Sequence, residues 1–129
     1  MQALYKRPPI QIINKMLTVH QIAKLFESGV SVKRKKHHPE HFLGLYDYSQ
    51  LEISIFEAEI RRESRKEDKN PDRERDLTIL HEFVHARDDY NYIKSARSPK
   101  KRVSTLEREV DKEAMQTYNT RPYVLEFIK

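Results

Sequence analysis

Within Asp76-Leu77-Thr78-Ile79-Leu80-His81-Glu82-Phe83-Val84-His85, two histidines and a glutamate stand at a spacing that can do metal chemistry. On a helix His81 and His85 lie four residues apart, one turn from each other on the same face. Imidazole nitrogens so placed suit a single zinc ion, which binds them at about 2.0–2.1 Å. Glu82 follows the first histidine directly and leans toward the same point, where it is placed to accept a proton from a zinc-bound water. Taken alone, the five residues also fit two surface histidines and a glutamate on an exposed helical face. The surrounding elements therefore carry the decision.

A hydrolytic zinc typically takes three protein ligands and a water. The chain has no cysteine, which excludes disulfides and thiolate ligands and leaves His, Asp or Glu to complete the set. The last helical stretch is rich in acids, and Glu107, Glu109, Asp111 and Glu113 are the candidates. Leu106, Val110, Ala114, Thr117 and Tyr118 share one broad face that must look inward. At about 100° per residue, Glu107 lies near the middle of that face and Asp111 at its edge. Glu109 points away and Glu113 sits on the far margin. This geometry favours Glu107 as third ligand, with Glu109 and Glu113 kept as alternatives. Asp111, one turn on, is then placed to accept the free ring N–H of a ligand histidine and so fix its tautomer.

The elements that must position these residues can be read in order. Residues 1–17 form a basic, proline-containing arm with some apolar content. Thr18 caps a helix through Val19, Ile22 and Phe26 that ends at Ser28-Gly29. Val30–Val32 reads as a first strand, followed by a basic loop from Lys33 to Lys36 and the loop histidines His37, His38 and His41. Phe42–Tyr48 and Leu51–Phe56 read as two more strands, the second with Leu51, Ile53 and Ile55 alternating with polar residues. Gly44, with no side chain, lets another backbone approach closely. The expectation is a small, mostly antiparallel sheet of three strands. Residues 57–69 are nearly all charged, with mixed signs, and read as a solvated loop or a frayed helix. Asn70-Pro71-Asp72 starts the motif helix, which should run to about Asp89. A basic connection over 90–103 leads to the acidic helix from Ser104 or Thr105, broken at Arg121-Pro122. The partition is then an arm (1–17), one domain (18–121) and an apolar tail (122–129).

Composition sets the bounds. The 129 residues are 37% hydrophobic and 35% charged, which implies one domain with a small core and modest margin. No stretch has the apolar run of a signal peptide or a membrane span, so the expected location is the cytoplasm. The net charge of +5 permits contact with nucleic acid or an acidic protein without requiring it. A binding or regulatory module using the basic loops at Lys33–Lys36 and Lys94–Arg102 is the rival to an enzyme.

His81-Glu82-Phe83-Val84-His85, followed by Glu107-Arg108-Glu109-Val110-Asp111, resembles the gluzincin metallopeptidases, of which thermolysin is the best known. It looks most like their smallest forms, the minigluzincins and the ImmA/IrrE-type peptidases. The resemblance covers residues 18–118 and implies an α+β, minimal zincin-like fold. It also implies zinc held by His81, His85 and Glu107, Glu82 as general base and acid, and peptide or protein substrates. A strand above the cleft, one of Phe42–Tyr48 or Leu51–Phe56, would pair with an extended peptide. Tyr90, Tyr92 and Tyr118 are candidates for stabilising the oxyanion. Some minigluzincins are latent, with a terminal segment over the cleft, which would give the tail from Tyr123 to Ile128 a purpose.

Overall fold

The computed structural model describes residues 16–94 and 104–129, with side chains described for 16–91 and 107–129. The elements run α1 (Val19–Glu27), β1 (Ser31–Lys35), β2 (Gly44–Asp47), β3 (Glu52–Phe56), α2 (Glu57–Lys66), α3 (Pro71–Lys94), α4 (Ser104–Thr120) and α5 (Tyr123–Ile128). The fold class is α+β.

Local chemistry explains most boundaries. Thr18 and Gln21 form a reciprocal capping box at the start of α1, each side chain accepting the other's backbone N–H at 3.1 Å. Gly29, at φ 108°, ends that helix in a conformation that side-chain-bearing residues rarely adopt. Asn70 Oδ1 accepts the N–H groups of Asp72 and Arg73 at 2.8 and 3.2 Å, and Pro71 takes the first helical position of α3. Helix α3 does not stop near Asp89. It continues to Lys94, so the expected connection over 90–103 begins later than its sequence implies.

The sheet has the order β1-β3-β2 and is mixed, not mostly antiparallel. β2 pairs antiparallel with β3, whereas β1 pairs parallel with it from Ser31↔Glu52 to Lys35↔Phe56. Burial supplies the reason. Ile53 and Ile55 are fully buried, so β3 takes the centre, and the charged β1 takes an edge where lysine and arginine can reach water. β1 therefore extends through Lys33, Arg34 and Lys35, where the charge pattern implies a loop. Lys35 pairs with Glu52 at 3.2 Å and Arg34 with Glu57 at 3.6 Å.

Residues 57–66, whose charge density suggested a loop or a frayed helix, form the regular helix α2. Ile60 anchors it in the core, and Arg75 on α3 holds Glu57 at 2.8 Å. Helix α3 is the axis of the fold. It packs against α1, α2, α4, β2 and β3, and Ile79, Leu80, Phe83, Val84 and Ala86 bury more than one of its faces. No helix among the described residues is long and apolar enough to cross a membrane.

Residues 1–15 of the expected arm lie outside the described residues. Leu17 is fully buried, with its N–H on Thr117 Oγ1 at 3.1 Å, so the core begins one residue earlier than expected. The tail departs from expectation more sharply. It does not lie over the cleft but forms α5, with Val124 and Leu125 in the core and Phe127 beside Phe26 of α1. A chain shortened after Arg121 is expected to lose about 3–6 kcal/mol of unfolding free energy, roughly 1.5–3 for each buried side chain. Urea denaturation of the two forms measures the difference.

Candidate metal centre

Helices α3 and α4 lie against each other and bring His81, His85 and Glu107 together. His81 Nε2 stands 3.0 Å from Glu107 Oε1 and 3.2 Å from His85 Nε2. His85 Nε2 is 3.1 Å from Glu107 Oε2. Ligand atoms bound tetrahedrally at about 2.0–2.1 Å from one ion stand about 3.3–3.4 Å apart. The observed spacings come within a few tenths of an ångström of that, so the group fits a metal ion.

The tautomer supports the same conclusion. Asp111 Oδ1 lies 2.7 Å from His81 Nδ1. A carboxylate there accepts the Nδ1 proton, so neutral His81 presents its Nε2 lone pair toward His85 and Glu107, the tautomer that metal ligation requires. Of the other acids considered, Glu109 is exposed. Glu113 is buried and gripped through both oxygens by Arg87, with Nη2 to Oε1 at 2.9 Å and Nη1 to Oε2. Among the described residues, the only grouping suited to a metal is His81, His85 and Glu107.

Glu82 is buried at the floor of the cleft. In the metal-free protein its carboxyl is pushed up to about 7. Burial is the main cause, the charges of Glu107 and Asp111 add to it, and His81 and the Tyr46 N–H work against it. The folded protein keeps this proton up to about pH 7, whereas an unfolded chain releases it near 4.5. Unfolding free energy therefore falls as pH rises through that interval, by on the order of 3 kcal/mol. With Glu82→Gln this loss should vanish, which urea titrations of the metal-free proteins at about pH 5 and about pH 8 would show.

The site lies in a cleft of about 1330 Å³ between β2 and helices α3 and α4. That exceeds the roughly 300–1,000 Å³ of pockets that hold small molecules. Phe42, Leu45, Tyr48 and Met115 line it as exposed apolar side chains, and large apolar groups gathered in this way mark a binding surface. None of the α5 residues borders the cleft.

Three features of the site escape a reading of the sequence alone. Gly44 is required by side chains as well as by an approaching backbone: a Cβ there would stand 2.6 Å from Thr78 Cγ2, 3.2 Å from Glu82 Cγ and 3.3 Å from the Ser54 carbonyl oxygen. Tyr46 lines the cleft and donates its hydroxyl to Asp89 Oδ2 at 2.9 Å. Asp89 itself is nearly inaccessible. Their signal was the same-face pairing of Gly44 with Tyr46 and the four-residue step from His85 to Asp89. Of the tyrosines considered for the oxyanion, Tyr118 sits under Arg73 and Tyr90 packs on the core, neither bordering the cleft, and the Tyr92 side chain falls outside the described residues. His37 and His41 direct their Nδ1 atoms to the buried Glu59 at 3.3 and 3.1 Å, and Arg62 reaches the same carboxylate.

The chain matches no family model, and neither the curated proteins nor the solved structures contain a significant match to it. A functional reading rests on the site.

Proposed function

We propose that the protein is a zinc-dependent, gluzincin-like metallopeptidase. The observation that carries this reading is the convergence of His81 Nε2, His85 Nε2 and the Glu107 carboxylate within 3.0–3.4 Å of one another, with buried Glu82 next in sequence to His81. The order of helix, small sheet, motif helix and glutamate helix supports it, being what the resemblance to minigluzincins implies. Zinc held by these residues would supply Lewis acidity, polarising the scissile carbonyl and lowering the pKa of the attacking water.

The chain's own groups account for the rest. Glu82, buried and next in sequence to His81, takes a proton from the attacking water and then passes it to the leaving amine. Asp111 holds His81 in the tautomer that presents Nε2. The size of the cleft and its apolar side chains suit a peptide segment.

The test is metal removal. Purified protein should contain about one zinc per chain, hydrolyse an unstructured peptide substrate, lose that activity on chelation and regain it when zinc is restored. Protein that takes up no zinc, or hydrolysis that survives chelation, overturns the reading.

A further inference from the structure

Helix α2 sorts its charges by side. Of its three acids Glu59 is buried, and Glu57 and Glu63 are partly buried. Glu57 is held by Arg34 and Arg75, and Glu59 by Arg62 beside His37 and His41. The four cations of the helix, Arg61, Arg62, Arg65 and Lys66, are all exposed. Exposed Lys36 joins them, because its carbonyl accepts the Ala58 N–H at 3.0 Å and so seats the end of β1 on the first turn of α2. Arg61, Arg62 and Arg65 follow Ala58 by three, four and seven residues, which places them on one helical face, and Lys66 lies one turn beyond Arg62. Lys36, Arg61, Arg65 and Lys66 form no ion pair with any described residue. Glu67, which Lys69 holds at 3.2 Å, and Asp68 bound the strip at its far end.

We propose that this strip, from Lys36 along the outer face of α2, is a docking surface for the phosphate backbone of nucleic acid, bound without regard to sequence. Arg61 and Arg65 supply half of the unpaired charge, and a guanidinium donates in a fork that matches phosphate oxygens. None of the exposed large apolar side chains lies on β1 or α2. A protein partner is gripped through an aromatic or apolar centre and a membrane through an apolar helix face, whereas a phosphate backbone is met by charge alone. The length fits as well. From Ala58 to Arg65 is about 10 Å along the helix axis, a rise that carries about three phosphates of one strand. None of these residues borders the metal cleft, so a bound nucleic acid leaves the cleft open. The inference therefore stands or falls independently of the metallopeptidase reading.

The experiment reads the fluorescence polarisation of a labelled mixed-sequence DNA duplex of about 20 base pairs against the full chain, over salt from about 50 to about 300 mM. With about three phosphates engaged, log K should fall against log salt with a slope of about −3. Arg61→Gln/Arg65→Gln removes two charges and keeps good helix formers. It should weaken binding at the lowest salt by about tenfold or more and bring the slope to about −1. Lys36→Gln/Lys66→Gln should reproduce the loss, so the result does not hang on one pair of substitutions. Lys24→Gln/Lys112→Gln takes the same charge from exposed positions on α1 and α4 and should bind within about twofold of wild type. The proposal is overturned if both strip variants bind as tightly as wild type. It is also overturned if the control pair loses as much as they do, because net charge alone would then suffice. Wild-type protein that leaves the duplex unbound overturns it too, and capture of polyglutamate or of phosphatidylserine vesicles in its place would assign the strip to an acidic protein or a membrane.

Discussion

Glu82→Gln is expected to leave zinc binding intact and to lower kcat by about a thousandfold. The substitution keeps shape and volume at a buried position but removes the group that takes and returns the proton. Gln cannot accept a proton at neutral pH. The loss should therefore fall on kcat, with KM for a peptide nearly unchanged. Steady-state kinetics beside elemental analysis checks both halves. Full activity in this variant would remove Glu82 from the chemistry, and loss of zinc would mean that it supports the site rather than the reaction.

Glu107→Ala is expected to weaken zinc binding by more than about a hundredfold and to abolish peptidase activity with it. The comparison that sets this scale is Asp111→Asn. Asp111 touches His81 Nδ1 and not the metal position, and loss of such an outer partner typically costs about 10–100-fold in affinity. Removing one of three direct donors must cost more. Glu107 is half-exposed and lies in the first turn of α4, so the fold should tolerate alanine within about 1 kcal/mol. Competition with a chelator of known affinity, run beside urea denaturation of the metal-free forms, separates a lost ligand from a lost fold. Wild-type affinity in Glu107→Ala would require the third donor to lie elsewhere.

What the sequence made legible is what local chemistry dictates. The His81–His85 step and the Thr18 and Asn70-Pro71 caps act within a few residues, and each appears as its spacing implied, whereas β3, read from its alternation as half-buried, is buried on both faces, Ser54 included, because it is the central strand. Features that depend on distant packing were hidden. β1 carries three cations in five residues, so its strand character lies in its pairing with β3 and not in its pattern. α2 was masked by its charges. Its one strongly apolar residue, Ile60, anchors it, and the Glu59 it buries is met by His37, His41 and Arg62 from across a loop and one turn. Val124 and Leu125 showed that the tail must pack, but not where. The Tyr46–Asp89 contact spans 43 residues, beyond the reach of any periodicity.

The Arg87–Glu113 pair has a consequence for how the molecule assembles. It joins the same two helices that supply the histidines and the glutamate, at a point where both side chains are almost wholly buried. If α4 slid by one turn along α3, about 5.4 Å, apolar contacts could largely be replaced by similar ones. The guanidinium and the carboxylate could not. Glu113 would lose the guanidinium while still buried, and Arg87 would be left with its helix neighbour Asp88, at about 3–5 kcal/mol for the broken pair. The pair thus acts as a proofreader of register, disfavouring any alignment that carries Glu107 a turn away from the histidines.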